Sequence, residues 1–251
     1  MSWRLKKQLK YAFIFFIIIL FFSFLIIKGV QPEPTCYDNI QNQNEDGVDC
    51  GGPCISCEIK NLKLEIKKTD FIIYPDNSLD LFAIIKNPSS KYALKSFSYK
   101  FVLYGKENYK AETPPKNVFI LPLENKYLLE LNKQMPKVKI EDIKLEVEIN
   151  PYNWIETNEK PPVIDLLNYK IENNKLIAEI INNDQKPFNN LEINFILFDY
   201  FDNIIGFSKT KIDYIEIYER KIIEITLPPL SKNPERVLLY SSYIYFEENE
   251  N

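Results

Sequence analysis

Histidine is absent from all 251 residues, which removes Ser-His-Asp and Cys-His catalysis and every histidine-ligated metal site. Glycine is scarce: there are six, and three of them (Gly47, Gly51 and Gly52) fall in one short segment. A glycine-rich phosphate loop is therefore excluded. No usable acceptor for N-linked glycosylation exists either, because the one candidate, Asn87-Pro88-Ser89, is blocked by its proline. Positive charge is in deficit, with 31 Lys and Arg against 35 Asp and Glu. Arg4, Lys6, Lys7 and Lys10 hold four of those positive charges, so a total of −4 leaves −8 on residues 11–251. That balance argues against nucleic acid or an anionic surface as a partner.

Uncharged apolar runs of any length are missing except at residues 11–27, YAFIFFIIILFFSFLII, bracketed by Lys10 and Lys28. At about 1.5 Å per residue this run makes a helix of roughly 26 Å, within the range of spanning segments. Only Tyr11 and Ser23 interrupt it, whereas a core helix of a soluble protein would carry a polar stripe. The basic residues before it predict a cytoplasmic N-terminus and an outward-facing remainder. Residues 24–28 offer no small residues for a signal peptidase, so the segment is expected to stay as an anchor.

All four cysteines lie in the segment CYDNIQNQNEDGVDCGGPCISC, as Cys36, Cys50, Cys54 and Cys57. Outside the membrane such thiols pair, and two disulfides would staple a segment too small and polar for a core of its own. Three connectivities are open. Zinc held by four thiolates is the competing reading, disfavoured by the exported location. Asp38, Asn42, Asn44, Asp46 and Asp49 supply oxygen atoms around Gly47 in a pattern like the first half of a calcium loop. The second half is missing, since Pro53 stands where a bidentate Glu belongs. The same residues suit a polar turn with Asx-type hydrogen bonds and a glycine at positive φ, which is the preferred reading.

This segment resembles a short cysteine motif of bacterial and archaeal surface proteins, C-x-D-G-I-Q-N followed by E-x-G-V-D-C-G-G-P-C-x-x-C. Cys36, Asp38, Ile40 to Asn42, Glu45, Gly47 to Cys54 and Cys57 match it, while Asn39 replaces a glycine. The resemblance covers about a tenth of the chain and implies an extracytoplasmic stalk or spacer, not a reaction.

From Asn61 onward the apolar period is two, as in Leu62-Leu64-Ile66, Phe97-Tyr99-Phe101-Leu103 and Ile143-Leu145-Val147-Ile149. This is the signature of half-buried strands, and with Pro and Asn clusters between the runs it predicts sandwiches. The chain also repeats itself. LFAIIKNPSSKYALKSFSYKFVLYG at 81–105 aligns with LIAEIINNDQKPFNNLEINFILFD at 176–199 with one residue deleted, matching Asn87 to Asn182, Phe101 to Phe195 and Leu103 to Leu197. Leu123-Glu124-Asn125-Lys126 parallels Tyr218-Glu219-Arg220-Lys221. A repeat of this length fits one domain per copy. Asn87 and Asn182 are read as turn formers, and Trp154 is placed at the joint between the copies.

The repeated strand, Phe101-Val102-Leu103-Tyr104-Gly105 and Phe195-Ile196-Leu197-Phe198-Asp199, resembles the signature of FxLYD-type domains. These are immunoglobulin-like units related to the late-embryogenesis-abundant type. Each copy departs from the signature at one position. The resemblance covers most of residues 60–250 and implies a small, envelope-associated sandwich without enzymatic activity.

The expected architecture is all-β: two tandem immunoglobulin-like β-sandwiches preceded by one transmembrane α-helix and a small disulfide-rich segment. Its divisions are a basic leader (1–10), an anchor helix (11–28), a cysteine-rich module (29–58), a first sandwich (59–150), a linker (151–161) and a second sandwich (162–251). The expected function is a non-enzymatic structural or interaction protein of the prokaryotic envelope. Its partners are the membrane and another envelope protein or glycan, and no resident cofactor is expected. The alternative is a calcium-dependent surface adhesion module. The tyrosines Tyr240, Tyr243 and Tyr245 suit ordinary strand packing better than an exposed patch, and the carboxylates Glu130 and Glu224 suit solvated sheet faces better than acid–base work.

Overall fold

The computed structural model describes residues 3–30 and 35–244, without the side chains of residues 5, 6 and 25–30. Tyr245, the acidic residues after it and the side chains of Lys6 and Lys28 lie outside the described residues. The chain forms two compact units, Met1–Lys60 and Asn61–Asn251.

In the first unit, α1 runs Trp3–Val30, starting earlier than the apolar run because Arg, Lys, Leu and Gln are good helix formers. Its described side chains from Lys7 to Phe24 are all exposed, and the helix is long and apolar enough to cross a membrane. Beyond it the described residues 35–60 hold little regular structure except α2 (Cys57–Lys60). Two disulfides, Cys36–Cys54 and Cys50–Cys57, organise this segment.

The second unit is built from β1 (Glu65–Ile73), β2 (Ser78–Lys86), β3 (Tyr92–Gly105), β4 (Lys110–Glu112), β5 (Lys116–Ile120), β6 (Asn125–Gln134), β7 (Ile140–Glu148) and β8 (Trp154–Glu156), followed by β9 (Ile164–Glu172), β10 (Lys175–Asn182), β11 (Phe188–Phe198), β12 (Ile204–Ile215), β13 (Arg220–Thr226) and β14 (Arg236–Tyr243). All pair antiparallel in four sheets. Sheet I has the order β1-β2-β6. Sheet II centres on β3, with β4 and β5 on one side and β7 and β8 pairing it as well. Sheet III is β9-β10-β13, and sheet IV is β12-β11-β14. The path of β1, β2, β3, β5, β6 and β7 is thus retraced by β9 to β14. Sheets III and IV share a core in which Leu176, Ala178 and Ile180 meet Leu191, Ile193, Phe195 and Leu197. The matching residues Leu81, Ala83, Ile85, Phe101 and Leu103 of the first copy are buried too.

The two asparagines do more than form turns. Asn87 and Asn182 are both 0% exposed. Asn87 donates its amide to the carbonyls of Tyr92 (2.7 Å) and Leu121 (3.0 Å) and accepts from the Ser89 N–H (3.0 Å). Asn182 donates to the carbonyls of Lys186 (2.9 Å) and Glu216 (3.0 Å) and accepts from the Asp184 N–H (3.0 Å). The backbone N–H of each asparagine reaches the carbonyl of Glu124 or Glu219. Those glutamates in turn accept from the N–H of Leu121 or Glu216, each at 2.7 Å. Leu123 and Tyr218, just before them, share a left-handed φ of 58°. One side chain therefore ties the end of one strand, the start of the next and a turn 34 residues downstream, satisfying backbone groups that burial would otherwise leave unpaired.

The signature strands are buried on both faces. Phe195 and Leu197 enter the core of sheets III and IV, while Ile196 and Phe198 point the other way and join Phe82, Leu129 and Phe207 in a separate cluster. That cluster brings β2 and β6 of sheet I against sheet IV. Phe82 and Phe207 lie 4.9 Å apart by ring centroids, and Tyr127 and Tyr240 lie 5.2 Å apart. Burying each such side chain contributes about 1.5–3 kcal/mol, so the two copies form one compact unit. Gly206 lets Tyr74 of the first copy come close, since a Cβ there would sit 3.2 Å from its hydroxyl, besides 3.0 Å from Leu230 Cδ2 and Pro228 Cγ of its own copy. The Tyr74 hydroxyl also donates to the buried Asp80 (2.6 Å), whose second oxygen accepts from the Asn132 N–H.

The last signature position differs between copies for a local reason. A Cβ at Gly105 would come within 2.7 Å of the Lys139 carbonyl. Asp199 has room, and accepts from the N–H groups of Phe201 and Asn203, each at 2.9 Å, with Lys232 at 3.1 Å. Within residues 151–161, Trp154 to Glu156 pair with β3, setting Trp154 opposite Leu94 and Ile155 opposite Ala93. Trp154 is buried on the Leu94 face. Ile155 and Tyr243 of β14 both pack against a small cluster of Ala93, Phe119 and Leu121.

Two outcomes follow. Replacing Asn87 or Asn182 by Ala strands two carbonyls and an N–H, and each variant should lose on the order of 3 kcal/mol in urea unfolding; a loss near zero would contradict the assigned bonding. The Asn203 N–H, seconded by Lys232, holds Asp199 down to about 2, from an ordinary 3.8. A depressed carboxyl stabilises the fold above its unfolded pKa and loses that contribution as pH falls through its folded pKa. Between pH 4 and 2 the melting temperature should therefore fall less steeply in Asp199→Asn than in the parent chain.

Candidate functional site

Three acidic residues of the cysteine module, Asp38, Glu45 and Asp49, turn to its own backbone. Asp38 accepts from the N–H groups of Ile40 (2.9 Å) and Thr35 (3.1 Å) and from the Asn42 amide (2.9 Å). The Asn42 amide, with the Thr35 and Ile40 N–H groups, keeps the Asp38 carboxyl below its usual range. Asp49 accepts from the Asn39 N–H (3.0 Å) and lies 3.5 Å from Lys60 Nζ. Glu45, close by in the same pattern, is the buried hub, accepting from the N–H groups of Asp49 (3.0 Å) and Asn42 (3.3 Å). Asn44 and Asp46 are exposed.

Asn39, Gln43, Asn44 and Asp49 adopt positive φ, as do Gly51 and Gly52. A Cβ on Gly51 would lie 2.2 Å from Asp46 Oδ2, so the glycine pair lets the chain fold tightly over its own turn. Among the described residues, the one close group of three Cys, Asp or Glu ligand atoms is Cys36, Glu45 and Cys54. Two of those sulfurs are joined in a disulfide and are not thiolates, so the group does not fit a metal. Asp38, Asp46 and Asp49 are not gathered into such a group.

In the second unit a cleft of about 430 Å³ opens between the two copies. One wall is Lys116, Asn117, Val118 and Phe119 of β5, another is Lys126, Tyr127, Leu128 and Leu129 of β6. Glu192, Lys209 and Tyr243 close it from sheet IV, while Lys95 and Tyr99 come from β3. Lys126 is almost fully buried, 3.1 Å from Glu124 and 4.2 Å above the Phe119 ring. Glu124, already capping Leu121, also accepts from the Tyr240 hydroxyl of the other copy. Burial, then the Glu124 charge, pushes Tyr240 far up, so it stays protonated as a donor.

Behind this wall Glu130, 1% exposed, is held by Lys116 and by Lys133 at 2.6 Å. Burial alone would raise its carboxyl, yet the two lysines prevail and hold it below the usual range. Burial raises Tyr99 and Tyr243 as well. With their protons retained, these tyrosines supply hydroxyls and aromatic faces beside the lysines of the cleft.

The predicted residues thus scatter. Glu224 pairs with Lys175 on an exposed face as expected, whereas Glu130 departs from the expected solvated face, being buried with its charge met by Lys116 and Lys133. Tyr240 and Tyr243 serve the joint between the copies. The cleft escaped sequence reading because its lysines are spread from residue 95 to residue 209. The signal nearest to it was the Leu123-Glu124-Asn125-Lys126 turn.

No protein-family model and no curated protein matches this chain. Among solved structures, the crystal structure of red sea bream transglutaminase aligns over 72% of this chain at 12% identity with a TM-score of 0.21, and the alignment covers 29% of that protein's chain.

Tyr240→Phe removes the hydroxyl that bridges the copies while leaving Glu124 its other partners. A hydrogen bond to a charged group is worth about 1.5–3 kcal/mol, and the variant should lose about that much in urea unfolding. An unchanged midpoint would mean the contact carries no stability.

Proposed function

We propose that this chain is a single-pass envelope protein whose N-terminus is cytoplasmic and whose described residues from 35 onward face outward. In this reading α1 is a retained anchor, the stapled module is a spacer, and sheets I and II and sheets III and IV are two immunoglobulin-like sandwiches displayed as a rigid pair. The role is structural or interactive, not enzymatic. The observation that carries it is the complete pairing of the four cysteines shortly after a helix apolar enough to cross a bilayer. Disulfides persist outside the cytoplasm, which supports an outward-facing module beyond the anchor.

Maleimide labelling of denatured protein from cells should find no thiol before reduction and four after it. Protease added to intact spheroplasts should digest the chain from the module onward while sparing a tag fused to the N-terminus. Four reactive thiols before reduction, or a protected C-terminal part, would overturn the assignment.

A further inference from the structure

The hairpins that follow the two signature strands are built alike. Tyr104 pairs with Lys110 and Phe198 with Ile204, so the tips, 105–109 and 199–203, have the same length. In each the first N–H reaches the last carbonyl, Gly105 to Tyr109 at 3.1 Å and Asp199 to Asn203 at 3.0 Å. Their outermost residues differ: Lys106-Glu107-Asn108 in the first copy, Tyr200-Phe201-Asp202 in the second. A tip that folds with exposed Lys, Glu and Asn needs no aromatic ring for its geometry. Yet Tyr200 is 81% exposed and Phe201 77%, beyond every ring of α1, where Trp3 is highest at 71%.

The second tip is fixed and neutral. Asp199 accepts from the Phe201 and Asn203 N–H groups and meets Lys232. Asp202 accepts from Arg236 Nε (3.1 Å) and Nη2 (2.8 Å), and that guanidinium lies 3.9 Å from the centroid of the Phe198 ring. Each carboxylate beside the rings is thus matched by a cation. Area and geometry then select the occupant. Two aromatic side chains bury about 150–250 Å² each, well short of the roughly 800 Å² per partner of a stable protein interface. The rings stand at 87°, with centroids 5.4 Å apart, and share no plane on which successive sugars could stack. A bilayer requires neither a matching surface nor a common plane, and its interface takes aromatic side chains readily.

We infer that the Tyr200–Phe201 tip inserts into the interface of the bilayer that holds α1, giving the chain a second contact with lipid. The inference rests on α1 being the anchor proposed above. Residues 31–60 can extend over at most roughly 100 Å, so that bilayer is the lipid surface always within reach. Because the charges of the tip are paired, insertion is driven by the rings and not by attraction to anionic headgroups, and salt leaves it unchanged.

The full chain is reconstituted in nanodiscs of phosphatidylcholine, with or without bromine on the acyl chains, and tryptophan emission is compared. A Trp3→Phe background leaves only Trp154, which is buried. In that background Phe201→Trp should be quenched at least about twofold by the bromines, at low salt and at about 1 M salt alike. Lys106→Trp, at the matching tip of the first copy, should not be quenched. Tyr200→Trp repeats the measurement should Phe201→Trp unfold at a lower temperature than the parent. Phe16→Trp in α1 reports the anchor itself. Quenching at 16 without quenching at 200 or 201 overturns this inference alone, whereas quenching at none of them removes the anchor as well. Equal quenching at 106 would mean that the unit lies on lipid without using this tip, and loss of quenching in salt would mean attraction to headgroup charge. A blue shift at 201 without quenching would place the ring against protein, in a second copy. Each of these three results overturns the inference.

Discussion

A buried amide, set at the same place in each copy, is the constraint on which the second unit depends. Asn87 and Asn182 each bridge a strand end, the next strand and a downstream turn with three hydrogen bonds. No apolar residue could substitute, because the carbonyls and N–H groups it satisfies have no water within reach. Once that corner is fixed, β3 and β11 leave it in a set direction, so the phase of Phe101 and Leu103 or Phe195 and Leu197 toward the core follows. A one-residue slip would turn these side chains out. The deletion that separates the copies lies between the asparagine and its carbonyl partner, Tyr92 or Lys186, and the bond survives because the turn absorbs it.

The corners are alike in geometry and unlike in use. Glu219 caps its turn beside Lys221 at the surface. Glu124 caps the same turn but is buried, and takes on Lys126 and Tyr240 as well. A buried carboxylate needs such company, since removing water from a charge costs several kcal/mol unless partners replace it. Duplication thus supplied a preformed acceptor in the first copy, and a tyrosine in the last strand of the second copy reaches it. Around that contact the outer faces of sheets I and IV became a second apolar layer, with Phe82 against Phe207. The joint is held by packing and by directional bonds together, so it is defined in angle as well as in distance.

How much of this was legible in the residues varies with the range of the contact. The apolar helix, the strand alternation and the doubled path are written in local periodicity and self-similarity, and the structure carries all three. The outer layer was legible only in part. LFAIIK carries apolar residues in both phases, which marks a strand buried on two sides, but not what covers Phe82. Trp154 drew attention by size, and its smaller neighbour Ile155 packs on the same small cluster as Tyr243. The cleft needs residues from β3, β5, β6, β11, β12 and β14, and no spacing along the chain announces a site assembled from six strands.

The cysteine module teaches the converse lesson, that a pattern can be visible while its purpose is not. A run of Asp, Asn and Glu around a glycine suits both a cation loop and a chain too short for a core. The distinction lies in where the N–H groups point. Here they point at the carboxylates: Asp38, Glu45 and Asp49 each accept from backbone donors, in a stretch where several residues sit at positive φ. Such a stretch forms few regular backbone pairs, so its donors must be met by side chains. Acidic residues meet them best, because a charged acceptor makes the stronger bond. The disulfides hold the loops near enough for this, and the carboxylates in turn fix the loops that the disulfides join. At Asp38, Glu45 and Asp49 the acidity of the motif thus serves its folding.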